Sequence, residues 1–363
     1  MSNSSAPANG VNAADTSATA SDAKSVYIIF NPVSGTGDPE TRKKHITDEF
    51  AKADFTCEIV PTSESDNGTA LAKKAIAGGA KLLVIAGGDG TVMEAMAALV
   101  GTDIPIAVIP TGTGNLLSLN LGIPLTIPEA VEVALQGQVF DLDLGHTSDN
   151  VYFAIMGGIG LDADMIADAD RQAKRRYGKL AYLMAAVKNV GKPKIHVSIR
   201  LDGKPAIQHR AATVLIANMG KITGGLEAVP TASPHDGLLD VGIVRHASVS
   251  QWLRLVAYAL VGRTHHDPDF DVHQAKKISI TLRHAHKLEF DGEDAGEASQ
   301  LNVEVVPKAV KIMLPQKSST VRDLAEAPEA VAQRDSLIKL LPAVALMVSA
   351  VGLTIWWRHR KKK

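Results

Sequence analysis

The sequence predicts an α/β + β protein: a parallel α/β domain, then an antiparallel β-sandwich, then a hydrophobic helix at the C-terminus. Three observations lead there. Between residues 25 and 138, short β-branched runs alternate with helical segments at close spacing, the pattern of a parallel sheet with helices on its faces. From 139 to 315 the texture changes to many short strands joined by turns, which suits a sandwich. Leu340 to Trp357 is then eighteen residues without a charge, nearly long enough at about 1.5 Å per residue to cross a hydrocarbon core.

Composition narrows the classes. At 363 residues the chain has room for two domains and appendages. Its 38 basic and 39 acidic residues nearly cancel, so no global field favours nucleic acid, and no nucleic-acid partner is expected. Cys57 is the sole cysteine, which excludes an intramolecular disulfide and a cysteine-rich zinc site. Aromatic residues make up 4%, too few for a base-stacking platform.

Residues 1–24 are Ser, Ala, Asn and Thr with almost no bulky apolar side chain. They are expected to be disordered, and they lack the basic and apolar regions of a secretory signal. Ser25–Phe30 is the first strand, followed by a polar, glycine-bearing turn from Asn31 to Gly37. A helix starts at Pro39, where proline is tolerated. Thr56–Val60 is a strand, Thr69–Ala77 a helix and Lys81–Ala86 a buried strand. Gly87-Gly88-Asp89-Gly90-Thr91 turns that strand into a helix read from Val92 to Leu99. Ile104–Ile109 is the next strand, Pro110–Asn115 the third turn, and Pro128–Gln136 a helix. In such a sheet the three turns converge at the carboxyl edge, where ligands bind.

The second half reads as strands at 139–146, 151–156, 195–201, 211–217, 239–244, 275–282, 287–290, 301–307 and 310–314. Hairpin-type turns fall at Thr147–Asn150 and Asp202-Gly203. A helical insert from Ala163 to Val190 stands apart. Between Arg171 and Lys194 it carries eight basic residues and no acid, interleaved with Leu180, Tyr182, Leu183, Met184 and Val187. Either it is a packed helix with a solvated basic face, or it docks on anionic lipid headgroups. Residues 316–336 are a polar linker, 337–357 the expected membrane-anchor helix closed by Trp356-Trp357, and 358–363 a basic tail.

A strand, a glycine-rich turn and a helix N-terminus bring free N–H groups and a helix dipole to one point, where a phosphate can sit. Glycines let phosphate oxygens approach the backbone. Asp89 repels a phosphate, so its use is with a metal ion or a proton. Three look-alikes are set aside. There is no Walker-type P-loop. Gly158-Ile159-Gly160 imitates a dinucleotide fingerprint, but the acid that should follow is replaced by a basic stretch. His265-His266 and His284/His286 have no acidic or cysteine partners at metal spacing.

Taken together, Asn31-Pro32-x-Ser34-Gly35, Gly87-Gly88-Asp89-Gly90-Thr91-x-x-Glu94, Pro110-x-Gly112-Thr113-Gly114-Asn115 and Leu121–Pro124 resemble the diacylglycerol kinase and sphingosine kinase catalytic family, closest to its bacterial lipid-kinase branch. Ile159–Ala163, Gly224-Gly225, Pro230-x-Ala232, Asp236–Asp240 and Asp291-Gly292-Glu293 agree, so the resemblance runs from Val26 to Pro315. It implies ATP bound between the two domains, Mg²⁺, and γ-phosphoryl transfer to a lipid hydroxyl, with diacylglycerol the expected acceptor and a sphingoid base or other lipid alcohol the alternative. It also implies that the last strands can return to the first domain.

By position, Asn31, Pro32, Ser34, Gly35, Thr62, Gly87, Gly88, Asp89, Gly90, Thr91, Glu94, Gly112, Thr113 and Asn115 match nucleotide contacts. Asp89 matches the signature aspartate, acting through magnesium or on the acceptor hydroxyl, and Glu293 matches the general base. Ser233, Asp236 and Leu238 match a structural magnesium site. Leu116 stands where the family usually has Asp, and Met93 where the branch often has Asn.

A lipid substrate gives the basic segment 171–194 and the C-terminal helix a use at the cytoplasmic face of a membrane. The basic end after the helix obeys the positive-inside bias only if the helix dips and returns; otherwise it spans against that bias. Nothing in the sequence opposes a homodimer. An NAD kinase shares the Gly-Gly-Asp-Gly-Thr turn but needs a different second motif and leaves the apolar tail without a use. A silent lipid-binding module is opposed by the presence of both Asp89 and Glu293.

Overall fold

A computed structural model describes residues 25–65, 68–160, 194–222, 225–245 and 248–316. The expectations for 1–24, for the basic segment up to Val190, for the linker beyond Gln316, and for the anchor helix and tail lie outside these residues. Among the described residues no helix is long and apolar enough to cross a membrane.

The first half is a parallel sheet of β2 (Thr56–Pro61), β1 (Ser25–Phe30), β3 (Leu83–Gly87) and β4 (Pro105–Pro110), in that spatial order. Each strand alternates its side chains between two apolar layers. Ile29, Leu83, Ile85, Ile106 and Val108 face one layer with α2 (Gly68–Ala77) and α3 (Asp89–Leu99). Ile28, Phe30, Val84, Ala86, Ala107 and Ile109 face the other, with Ile46 and Phe50 of α1 (Pro39–Ala51) and Ala130, Val131 and Ala134 of α5 (Ile127–Gln136). Burial on both faces is why these strands read as continuous apolar runs. A short helix, α4 (Leu116–Leu121), follows the third turn.

The second half is antiparallel. β7 (Met156–Ile159) lies between β10 (Thr213–Ala217) and β15 (Lys277–Phe290); β10 continues to β13 (Leu239–Val244) and β14 (Phe270–Ala275). β8 (Ile195–Leu201) and β9 (Ile207–Ala211) extend from β15. Side chains from these strands close on one apolar core, including Ile159, Ile199, Ile216, Val241, Ile280 and Phe290. Two short strands, β11 (Lys221–Ile222) and β12 (Leu226–Glu227), pair separately.

The two halves are not separate sheets. β16 runs from Glu293 to Leu314; it pairs antiparallel with β15 and with β5 (Gln138–Thr147), and its end pairs parallel with β4 through Lys311↔Pro105 and Ile312↔Ile106. Val310, Ile312 and Leu314 enter the first half's apolar layer. β5 also pairs with the short β6 (Tyr152–Phe153). The last strand thus returns to the first domain and completes its sheet.

The structure departs from the sequence reading in several places. The strand expected at 151–156 is two pieces, and Gly157 and Gly158 lie inside β7, so the first glycine of the imitation fingerprint is in a strand, while Gly160 bends away after it at φ 78°. The Phe290 ring would lie 2.6 Å from a Cβ on Gly157; the glycine is there to admit the ring. The strands read at 275–282 and 287–290 are one, with a bulge between Thr281 and His286. The helix α6 (Val249–Leu260), not expected, begins with a capping box of Ser248 and Gln251, and its Arg254 is forked onto Asp267 and Asp269. Its Trp252 is buried against the outer side of β10 and β13.

Candidate active site between the two halves

The three turns meet at the carboxyl ends of β1, β3 and β4. The parallel ladder continues one step past the strands: Asn31 N–H donates to Ala86 O, Thr62 N–H to Phe30 O and Thr111 N–H to Gly87 O. Side chains then tie turn to turn. Asn31 Nδ2 donates to Thr91 Oγ1 at 2.7 Å, and Thr111 Oγ1 to Ser34 Oγ at 3.3 Å. Asn115, with φ 49°, bonds back to Gly112 O.

Two glycines are required by this closeness. A Cβ on Gly112 would lie 2.6 Å from Gly88 Cα, and one on Gly35, at φ +83°, would lie 1.9 Å from Thr111 O. The first turn is also held from behind. Arg42, on α1, donates to the carbonyls of Pro32, Thr36 and Gly37, which occupies three acceptors of the turn.

Gly87-Gly88-Asp89-Gly90-Thr91 is not a loop leading to a helix. The helix begins at Asp89, with Gly88 as N-cap and no side-chain cap. Its first-turn N–H groups are therefore open to an anion, with the helix dipole behind them. The fit to a nucleotide phosphate rests on this uncapped terminus, glycine-lined on both sides.

Asp89 itself turns away from that anion position. Its Oδ2 accepts from Leu116 N and its Oδ1 from Leu117 N, both at 3.1 Å. The carboxylate caps α4 and so fixes the third turn relative to α3. A Cβ on Gly114 would sit 3.1 Å from Asp89 Oδ2, a tight contact that a glycine avoids.

The second half supplies Asp291-Gly292-Glu293. Asp291 and Gly292 have φ +51° and +90° and form the hairpin turn between β15 and β16, the conformation that favours an Asp-Gly pair. Asp291 is a clamp. Its carboxylate accepts from the N–H groups of Ala154, Ile155 and Met156 at 2.7–2.8 Å. Burial pushes its pKa up to about 6 against those three donors, with the nearby Asp89 charge adding to the rise. Glu293, exposed, opens β16, and its Oε1 comes within 3.5 Å of where a Cβ on Gly90 would be. Glu293 from one half and Asp89 from the other thus flank Gly90 in the first turn of α3.

Other expected residues sit differently. Glu94 Oε2 accepts from Gly68 N, and Thr69 Oγ1 donates to the Glu94 carbonyl, so its visible bonds join α3 to the start of α2. Thr62 is held by its backbone beside β1, and Thr113 is exposed in the third turn. Pro32 contributes its carbonyl to Arg42.

Ser233, Asp236 and Leu238 lie in the loop before β13. Asp236 Oδ1 accepts from Leu238 N, and Ser233 Oγ bonds His235 Nδ1. The loop is pinned by buried Asp143, which accepts from Gly237 N and Lys308 N. Burial, then the Asp143 charge, raises the Asp236 pKa. Asp236 is the loop's one carboxylate, Asp143 reaches the loop from β5 with both oxygens taken by backbone N–H groups, and no cluster of three or more His, Cys, Asp or Glu that could hold a metal occurs among the described residues.

The sequence reading missed Arg42, Asp143 and the clamp function of Asp291. Only Asp291 carried a signal, its place in an Asp-Gly hairpin next to Glu293.

Comparison with known proteins follows the two halves of the fold. Residues 25–147 match the diacylglycerol kinase catalytic domain, and residues 156–314 the YegS C-terminal NAD kinase beta sandwich-like domain. An uncharacterised Synechocystis protein is 29% identical over 313 residues, covering 82% of this chain and 71% of its own. A diacylglycerol kinase of Bacillus subtilis is 28% identical over 280 residues, covering 75% and 91%. The crystal structure of a Bacillus anthracis diacylglycerol kinase superposes with a TM-score of 0.66 at 26% identity, covering 81% of this chain and 97% of that one. With both halves of the site accounted for, the chain belongs to the diacylglycerol kinase catalytic family, in its bacterial branch, and is a kinase-type phosphotransferase.

Proposed function

We infer that this protein is an ATP-dependent lipid kinase that moves the γ-phosphoryl group to a lipid hydroxyl, with diacylglycerol converted to phosphatidic acid. The observation that carries this reading is the meeting of Glu293 and the Asp89-bearing first turn of α3 at Gly90. The uncapped N–H groups of α3 and the glycine edges of the turns hold phosphate oxygens and orient them, which is most of what phosphoryl transfer asks of a protein. Glu293 takes the proton from the acceptor hydroxyl as its oxygen bonds to the γ-phosphorus and the bond to ADP breaks. Mg²⁺, when bound, neutralises phosphate charge. Asp89 orients the third turn through Leu116 and Leu117.

The basic segment 171–194 and the apolar stretch 340–357 would hold the enzyme to the cytoplasmic face of a membrane. In sealed vesicles, a C-terminal tag protected from protease on the cytosolic side favours a spanning helix; cleavage from that side favours a dipping one.

The test is a radiolabelled-ATP assay over a panel of lipid alcohols in mixed micelles, with Asp89→Asn as control. Label in phosphatidic acid is expected with diacylglycerol. Label in no lipid, with the protein folded, would sink the reading.

A further inference from the structure

Glu289 is a buried carboxylate that the reaction above does not use. It is 9% exposed, and its Oε2 is buried with no hydrogen-bond partner. Leu288 and Phe290 on either side enter the sandwich core, so strand alternation sends Glu289 to the opposite face. Its cross-strand neighbours are Gly158, which has no side chain to offer, and Asp294. On that face it lines a cleft of about 60 Å³ shared with Leu116, Ile155, Met156, Leu215 and Ile222, next to Asp291 and Gly292. Burial, helped by the charges of Asp294, Glu293 and Asp291, raises its pKa.

A buried carboxylate oxygen without a donor is costly and is rarely kept. Here it sits in an apolar-walled recess at the mouth of the site, with room for a head-group substituent and not for an acyl chain. Its register matters too. Glu289 pairs with Asp294 and Phe290 with Glu293 across the tight Asp291-Gly292 turn, which sets both glutamates at the same end of the hairpin. An acceptor whose reacting hydroxyl meets Glu293 leaves Glu289 free for a neighbouring group.

We propose that Glu289 forms a head-group subsite that accepts a hydrogen bond from a second donor on the lipid, a hydroxyl or a protonated amine beside the hydroxyl that is phosphorylated. Diacylglycerol has no such donor, since its other head-group oxygens are esters. A monoacylglycerol or a sphingoid base has one. This rests on the lipid-kinase reading and deepens it: the subsite broadens the acceptor class towards lipids with two donors.

The experiment compares kcat/KM for monoacylglycerol, a sphingoid base and diacylglycerol in mixed micelles, using wild type, Glu289→Gln and Glu289→Leu. For Glu289→Leu, the ratio of either two-donor lipid to diacylglycerol should fall about 10- to 100-fold, the worth of a hydrogen bond to a charged group. Glu289→Gln, which keeps a neutral acceptor, should restore most of the monoacylglycerol ratio and little of the sphingoid-base ratio. Thermal melting of Glu289→Leu should be no lower than wild type, because an unpaired buried charge has been removed. The proposal is overturned if all three acceptors change together, if no ratio moves, if wild type uses diacylglycerol alone, or if Glu289→Leu melts lower. A folded wild type that phosphorylates no lipid alcohol defeats the lipid-kinase reading itself, and the subsite with it.

Discussion

Asp89 has both carboxylate oxygens committed to the N-terminus of α4. Asp89→Asn puts an amide donor against a backbone N–H, so a loss of about 1–3 kcal/mol in urea unfolding is expected. Turnover should fall at least as far as for Glu293→Gln, since the third turn moves with α4. An Asp89→Asn protein with unchanged stability would show that the carboxylate acts on the reaction alone. Glu293 is exposed and at a strand start, so Glu293→Gln should leave the melting curve in place and lower kcat about 10²–10⁴-fold; full turnover would remove it as the base. Asp291 carries a pH signature. Its ordinary value is 3.8 and its folded value is about 6. Between these, the unfolded chain has released the proton and the folded one still holds it. Stability therefore falls as pH rises through that window, by up to about 1.4 kcal/mol per pH unit, and levels off above it. Asp291→Asn should lack this share of the slope; equal slopes in the two proteins would contradict the assignment.

At the scale of an element, the first turn shows how a loop is made into a binding surface. Gly35 gives it a left-handed bend where any Cβ would strike Thr111 O, and Arg42 gathers three of its carbonyls. The guanidinium's visible bonds all go to backbone carbonyls of the turn, so it acts by positioning. Arg42→Met should raise KM for ATP about tenfold or more while changing kcat much less. A KM equal to wild type would mean that the turn keeps its shape without Arg42. The same logic makes the α3 terminus a site: Gly88 replaces the usual Ser, Thr or Asp cap, and the N–H groups a side chain would have taken are left for a ligand.

For the whole molecule, β16 is the decisive strand. It starts at the candidate base, Glu293, crosses the sandwich and ends beside β4, burying Val310, Ile312 and Leu314 in the first half's apolar layer. A fragment of residues 25–147 lacks that strand and leaves the β4 and β5 edges open. Such a fragment is expected to aggregate or to show no cooperative unfolding by circular dichroism, whereas the full chain unfolds in one transition. A fragment with a sharp transition of its own would refute the dependence. The shared strand also couples Glu293 to the nucleotide half, because moving one end of β16 disturbs pairing at the other.

Local chemistry made the α/β half legible. Continuous apolar runs such as Leu82 to Ala86, short and ended by glycine turns, read as strands buried on both faces, and three glycine turns after three such strands point to the edge where a ligand sits. The sequence alone therefore determined the alternation, the three turns and Asp89 as a residue to watch, and the resemblance to the lipid-kinase family singled out Glu293. It did not reveal the run of β16 from 293 to 314, because a strand with exposed residues at 293–297 has no apolar pattern until Leu301. Nor did it reveal that Asp89 caps α4, that Arg42 grips the first turn, that Asp291 clamps Ala154–Met156, or that Glu289 is unpaired. The hydrogen bonds among them span 5 to 137 residues of chain, and periodicity, which reports which face of an element a residue lies on, carries no trace of their partners. Only the tertiary structure decides which carboxylate faces the substrate, because burial and partners come from the other half of the molecule.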